Sequence, residues 1–350
     1  MMKLLVIRFS AFGDVAMTVP VIDSLARQYP QTDITVLSRP FVQPLFGGMP
    51  ANVRFRGVDL NNYKGLGGLV RLFRELRREG YDTVADLHDV LRGKVIRTLF
   101  HLSGARTAHI DKGRREKRAL VRDGASAHQP LPTSFARYEA VFSQLGLPIH
   151  TTFRSIYGDG QGDPALFQDI TGLPDGKPWI GIAPFAAHRG KILPASTTET
   201  LIARLAERGD CRVFLFGGGK AETPRLEQWA ATYPNVTSLA GKLKLNQELA
   251  LMSHLHVMIS MDSANMHLAS LTATPVVSVW GATHPHAGFM GWHQSIDNAV
   301  QTDLPCRPCS VFGNKPCRRG DYACLTTLRA EDIIRKIDSI IHQPQKENNA

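Results

Sequence analysis

Lys3-Leu4-Leu5-Val6-Ile7-Arg8-Phe9, followed by Ser10-Ala11-Phe12-Gly13-Asp14, opens the chain as a short apolar run and a turn-like segment. A helical apolar pattern continues from there through Tyr29, so the segment reads as strand, loop, helix. The same alternation repeats outward. Ile34 to Leu37 and Thr83 to Leu87 read as strands, and helices fall near Leu66 to Glu79, Val90 to Leu102 and Ser134 to Leu145. Strands alternating with helices imply a parallel sheet. From Gly158 to Pro178 the composition shifts to Gly, Asp, Pro and Gln, which suits a connection. A second series then begins, with strands at Trp179 to Ala183, Arg212 to Phe216, Val257 to Ser260 and Val276 to Val279. Its helices lie near Thr198 to Arg208, Thr223 to Thr232, Gln247 to His254 and Asn265 to Leu271. The expectation is an α/β protein of two facing Rossmann-like domains with parallel sheets and an interdomain cleft. The first spans 1–157 and a linker 158–178; the second spans 179–328, followed by a C-terminal helix and tail, 329–350. A length of 350 residues favours two cores over one. Ligands are expected at the carboxyl ends of the strands, in the cleft.

Composition narrows the class. Apolar residues make up 43% of the chain and charged residues 21%, an ordinary globular balance that excludes disorder. The uninterrupted apolar run before Arg8 is only four residues, too short for a signal-peptide core, and no stretch approaches eighteen uninterrupted apolar residues. A cytoplasmic protein is expected, with any membrane contact peripheral. The formal charge of +10 is concentrated: between Asn52 and Arg122 stand seventeen Lys and Arg against eight Asp and Glu. Lys112, Arg114, Arg115, Lys117 and Arg118 form the densest part. Such an excess attracts phosphorylated partners, although a solvated basic helix face would look the same. A nucleic-acid-binding protein is one alternative, prompted by a pI near 9.5. From Gly65 to Arg122, however, only Phe73, Tyr81 and Phe100 are aromatic, and no binding motif accompanies them.

Three loops carry candidate chemistry. In the first, Gly13 permits a tight turn. Asp14 is either a helix cap or, at the mouth of a parallel sheet, a general base within reach of a substrate hydroxyl. Ser10 is a companion or simply a turn residue. The second is Gly217-Gly218-Gly219 with Glu222, a strand running through glycines into a helix, where a nucleotide can approach the backbone closely. It has neither the GxGxxG nor the GxxxxGK[ST] spacing, so neither a dehydrogenase nor a P-loop NTPase is indicated. Glu222 can accept from ribose hydroxyls or favour the helix dipole. The third, Ser260 to Ala269, crowds small polar residues at a helix start. Asp262 or Ser263 can cap that helix, the N–H groups of Ser263, Ala264 and Asn265 can meet a diphosphate, and His267 lies one turn on. Gly281 to Pro285 is a further loop at the same edge. Lys191 offers a cation to a departing diphosphate, with solvated surface as the plain alternative. Cys306, Cys309, Cys317 and Cys324 have a spacing compatible with structural zinc, without a repeated CxxC knuckle. Cys211, just before a strand, reads as core.

Taken together, Phe12-Gly13-Asp14-Val15 with Thr18-Val19-Pro20, the glycine loop with Glu222, and Asp262-Ser263-Ala264 with His267-Leu268-Ala269 resemble the heptosyltransferases, glycosyltransferase family 9. The resemblance spans both halves. It implies the GT-B fold, with acceptor bound mainly by the first domain and nucleotide-sugar donor by the second, and inversion at the anomeric carbon with no catalytic metal or other cofactor. By that resemblance Asp14 is the general base and Lys191 contacts the donor diphosphate or sugar. Glu222 holds the ribose, Lys242 and Leu243 lie near adenine, and Asp262, Ser263, Ala264 and His267 bind sugar and phosphate. The substrates it implies are ADP-heptose and the lipid A-linked inner core of lipopolysaccharide, met at the cytoplasmic face of the inner membrane with domain closure on binding. Arg56, Lys64, Arg92 and Lys94 are candidates for gripping that anionic acceptor. Ala264 stands where the family usually has Gly, and Ala186-Ala187 where a Thr pair is common. A same-fold transferase or epimerase using another nucleotide sugar is the rival within enzymes.

Overall fold

The computed structural model describes residues 2–342; the last part of the expected C-terminal tail lies outside the described residues. The chain divides into two compact units, Met1–Arg114 with Pro132–Gly158, and Arg115–Leu131 with Asp159–Ala350.

In the first unit the opening run is β1 (Lys3–Ile7), joined by β2 (Asp33–Ser38), β3 (Val53–Gly57), β4 (Thr83–Asp86) and β5 (Arg106–His109). All pairs are parallel, in the order β3-β2-β1-β4-β5. Leu4 to Ile7 are fully buried, as expected of a central strand whose two faces are both covered. The edge strands β3 and β5 escape the sequence reading because an edge needs no apolar run; Val53–Gly57 alternates with two arginines. The helices are α1 (Phe12–Ala16), α2 (Val19–Gln28), α3 (Gly65–Arg77), α4 (Leu91–Leu102) and, beyond α5 (Arg114–Asp123), α6 (Ser134–Gln144). The single helix expected through Tyr29 is broken between α1 and α2, where Pro20 in the first turn of α2 has no N–H to continue the ladder. Leu69, Leu72, Phe73 and Leu76 of α3 and Ile96 and Phe100 of α4 pack on Leu5, Ile7 and Val84.

The second unit holds α7 (Gln168–Thr171), β6 (Trp179–Ala183), α8 (Ala195–Arg208), β7 (Arg212–Leu215), α9 (Thr223–Ala230), β8 (Val236–Ser238), α10 (Leu245–Met252), β9 (Val257–Met261), α11 (Ala264–Leu271), β10 (Val276–Trp280), β11 (Ala299–Gln301), α12 (Ala323–Thr326) and α13 (Ala330–Ile341). Its six parallel strands run β11-β10-β9-β6-β7-β8. Ile333 and Ile337 anchor α13 in the sheet core, and Cys211 is buried in the same cluster, where burial pushes its thiol up to about 11.

Two segments lie differently from the sequence expectation. Residues from 159 onward are not a bare connection, because Phe167 is buried against Trp179 and His254, and Gly162 donates to Ser253 Oγ at 2.8 Å. Residues 115–131 leave the first unit and pack with the second. Leu120 and Ala125 sit on Ala287, Ala125 N–H donates to the Arg307 carbonyl at 3.2 Å, and Leu131 N–H donates to the His286 carbonyl at 2.9 Å. A polar stretch gives no periodic hint of which core its few apolar residues will join.

Each sheet has one point where strand order reverses, the place where open α/β sheets leave a crevice for ligands. It lies between β1 and β4 in the first unit and between β6 and β9 in the second.

Candidate active site

The first reversal point is built around a buried cation. Arg8 stands just past β1, where nearby main chain is closed in by the sheet, so its guanidinium has to find acceptors inside the protein. It donates to the Leu87 carbonyl after β4 and pairs with Asp14 at 2.6 Å. Asp14 is the third residue of α1 rather than a residue at or before the helix start, and its Oδ2 also accepts from Ala11 N–H at 3.2 Å. The carboxylate therefore does serve the helix start, where negative charge is favoured, while being held by a cation. Tyr138 of α6 donates its hydroxyl to the Asp14 carbonyl at 3.2 Å.

His88 faces the same loop. Its Nδ1 accepts from Phe9 N–H at 3.4 Å, leaving Nε2 to donate to Ser10 Oγ, 3.2 Å away. Burial, reinforced by the Arg8 and Lys112 charges, holds its imidazole down to about 4. Asp86, at the end of β4, braces the turn by accepting from His88 N–H at 3.0 Å and Asp89 N–H at 2.8 Å, with Arg97 at 3.2 Å. Burial raises its pKa against those bonds. Gly93 makes room for this carboxylate, since a Cβ there would come within 2.9 Å of both oxygens.

Beside the loop is a cavity of about 400 Å³ lined by Phe9, Ser10, Arg39, Leu60, His88 and Arg92, among others. Of the residues expected to grip an acceptor, Ser10 and Arg92 line it. The rest do not. Arg56 is drawn to Glu79 and, at 3.9 Å, to Glu75; Lys94 pairs with Asp89 at 3.7 Å; Lys64 is the exposed residue preceding α3. Sequence reading missed Arg8, Arg39 and His88, although an arginine closing an apolar strand is itself a signal of a buried partner.

His88 makes a testable contribution to acid stability. Its folded pKa lies below the unfolded value of about 6.5, so the unfolded chain takes up the proton first. The stability it contributes is fully present above pH 6.5 and is lost as pH falls through that value toward about 4; His284, also lowered to about 4 by burial and the Arg307 charge, acts in the same sense. For His88 the expected loss is about 2 kcal/mol between pH 7 and pH 5. Urea midpoints at both pH values should move less for His88→Gln than for the parent; parallel movement would dismiss the assignment.

At the second reversal point Lys191, after β6, pairs with Asp262, after β9, at 2.9 Å. Both side chains are largely buried, at 16% and 6% exposure. Ser263 is the N-cap position of α11, yet its hydroxyl does not cap the helix; it meets Ser260 Oγ at 3.2 Å. Asp262 is likewise turned to the lysine, so the expected side-chain cap is not made. Ala264 opens α11 and His267 is buried one turn later. The glycine loop lies at the end of β7. Gly217 has φ +149°, and a Cβ there would lie 3.0 Å from both Glu222 Oε2 and Leu226 Cδ1, which accounts for the glycine. Glu222 accepts from Gly218 N–H at 3.0 Å. Lys242, in the turn after β8, pairs with Glu227 at 3.0 Å, with Leu243 half-buried beside it. The named residues of this unit thus fall along one sheet edge, at the carboxyl ends of β6, β7, β8 and β9.

Arg307, also missed, locks the loop after β10. Its buried guanidinium donates to the carbonyls of Gly281, Trp280 and Thr283 at 2.6, 3.2 and 3.0 Å. The four late cysteines are free, and among the described residues no group of three or more His, Cys, Asp or Glu is arranged to hold a metal ion. Cys324 is buried in the sheet core, where its thiol is pushed up to about 11, while Cys306 is exposed.

Residues 69–318 match the model of glycosyltransferase family 9 (heptosyltransferase). The chain is 24% identical over 336 residues to a lipopolysaccharide heptosyltransferase 3 of Escherichia coli, covering 94% of this chain and 96% of the relative. It is 27% identical over 302 residues to a lipooligosaccharide heptosyltransferase 2 of Haemophilus influenzae, covering 81% and 84%. Among solved structures, the ADP-heptose lipopolysaccharide heptosyltransferase II of E. coli superposes with a TM-score of 0.72 at 20% identity, over 97% of this chain and 98% of that one. The fold is therefore the GT-B type, two Rossmann-like units each with a parallel sheet, and the chain belongs to glycosyltransferase family 9, the heptosyltransferase family.

Proposed function

We propose that this protein transfers a heptose from ADP-heptose to the inner core of lipopolysaccharide, with inversion at the anomeric carbon. The observation that carries the reading is the Asp14 carboxylate, held by buried Arg8 at the reversal point of the first sheet. An acceptor hydroxyl loses its proton to Asp14 as its oxygen bonds to the anomeric carbon. The bond from that carbon to the diphosphate breaks, and its electron pair leaves with ADP. Ser10, Arg39, His88 and Arg92 orient the acceptor. His88, neutral at physiological pH, supplies a hydrogen bond rather than a charge.

On the donor side Lys191 offsets charge developing on the diphosphate. Ser263, Ala264 and His267 lie at the helix start that faces phosphate and sugar, Asp262 orients the lysine and the sugar, Glu222 holds the ribose, and Lys242 and Leu243 border adenine. Family membership and the activities for which the relatives are named support the choice of heptose and of lipopolysaccharide. No helix among the described residues is long and apolar enough to cross a membrane. The enzyme acts at the cytoplasmic face of the inner membrane as a peripheral protein.

The test supplies ADP-heptose and de-heptosylated core glycolipid and follows ADP release and product mass. Release that requires both substrates, with a mass gain of one heptose, is expected. Consumption of a different nucleotide sugar with ADP-heptose untouched would overturn the donor assignment.

A further inference from the structure

A second concentration of charge lies wholly within the second unit and includes none of the candidate donor and acceptor residues. A cavity of about 450 Å³ is lined by Arg118, Val121 and Arg122 of α5 and by Phe312, Lys315 and Arg318 of the loop 310–318. The α5 residues are spaced i, i+3, i+4 and share one face, while Leu120 is buried on Ala287. The helix is thus fixed by one side, where Lys117 is buried over the Phe289 ring, and presents Arg118 and Arg122 with the other. All four cationic side chains are exposed. Arg122 pairs with Asp123 at 2.6 Å; among the described residues Arg118, Lys315 and Arg318 have no carboxylate partner, and no acid lines the cavity. Phe312 is 55% exposed, its ring 6.0 Å from that of Phe289.

We propose that this cavity is a docking site for the phosphate-bearing headgroups of an anionic membrane surface. The inference rests on the reading that the enzyme acts on a membrane glycolipid. Guanidinium and ammonium groups take phosphate oxygens, in the guanidinium case two at once. Val121, Val311 and Phe312 give the cavity an apolar share that free phosphate would not use but the interface of a bilayer does, where cations keep their charge in water and aromatic rings settle at headgroup depth. A single-strand nucleic-acid platform stacks successive bases on several aromatics, whereas Phe312 is the one aromatic lining residue. The loop also reaches the donor side of its own unit: a Cβ on Gly313 would stand 2.7 Å from Lys191 Cγ. Headgroup binding therefore grips the enzyme through a loop that rests on the lysine stem.

The test is cosedimentation of the full chain with phosphatidylcholine vesicles with and without phosphatidylglycerol, for the parent, Arg118→Ala/Lys315→Ala/Arg318→Ala, and Phe312→Ser. Binding is expected only to the anionic vesicles, falling with salt. At about five-fold per basic residue near an anionic surface, the triple variant should bind on the order of 100-fold more weakly. Phe312→Ser should weaken binding as well. Equal binding by parent and triple variant overturns the proposal. So does displacement from vesicles by low inorganic phosphate with Phe312→Ser unaffected, the mark of a soluble-phosphate site, or tight DNA binding that the triple substitution abolishes. These exposed positions should leave the thermal midpoint unchanged.

Transfer to a water-soluble, delipidated acceptor separates the two readings. The triple variant should match the parent there, and loss of that activity would make the cavity part of the substrate site and overturn docking. If the parent transfers no heptose at all, the proposed function fails, while the vesicle result still decides the docking site.

Discussion

Asp14→Asn is expected to lower kcat by about 10³, within the range a positioned general base contributes, with little change in KM for ADP-heptose. The amide is nearly isosteric and can still accept from Ala11 N–H, so α1 keeps its start. What disappears is the basicity and the negative charge. Loss of the charge also strands Arg8, which is 6% exposed and has Asp14 as its ion-pair partner. Breaking one side of a buried pair costs about 3–5 kcal/mol; with Asp14 itself half-exposed, the lower end applies. Urea unfolding of the variant, run beside ADP release under conditions where it stays folded, separates the two effects. Adding Arg8→Met to Asp14→Asn removes the stranded cation and should recover part of the stability without recovering kcat. Product formation by Asp14→Asn at the parent rate would remove Asp14 from the chemistry altogether.

Lys191→Ala should be the other severe change. Its partner Asp262 is 5% exposed, so deletion of the amine leaves a buried carboxylate uncompensated, again at about 3–5 kcal/mol. If Lys191 also stabilises the departing diphosphate, kcat should fall by about 10²–10³, the scale seen when a preorganised group is removed from developing charge. The double variant Lys191→Met/Asp262→Asn distinguishes the roles. Removing both charges should restore most of the unfolding free energy while kcat stays low. A double variant that regained both would confine the lysine to structure, and a single variant that unfolded easily but kept kcat/KM would do the same.

Much of the candidate site in the second unit is legible in the amino-acid sequence. Glycines after β7, and Asp and Ser after β9, follow apolar runs directly, and parallel strands covered on both faces announce themselves as such runs. The ends of those runs are the sheet edge, so one-dimensional pattern suffices to place Gly217, Glu222, Asp262 and His267 along it. The candidate site in the first unit is less legible. Arg56 and Lys94 count as cations in a sequence, yet glutamates of α3 and of the turn after it claim the first and Asp89 of the β4 loop the second. Charge alone does not say which cations a fold neutralises. His88 carries no local motif, and Arg8 only its place at the end of an apolar strand. Their importance comes from β1 and β4 lying side by side, across nearly eighty residues of chain.

By itself, the sequence determined the α/β class, the two series of central strands, and the glycine, aspartate and histidine positions at their ends, because burial on both faces and tight turns impose residue types locally. Tertiary structure alone decided the rest. It placed the edge strands, which need no apolar run, and put 115–131 in the second unit through a few contacts by Leu120, Ala125 and Leu131. It paired Arg8 with Asp14 and Lys191 with Asp262. These depend on which distant groups meet at short range, and Coulombic, hydrogen-bonding and packing energies follow distance in space, whatever the separation along the chain.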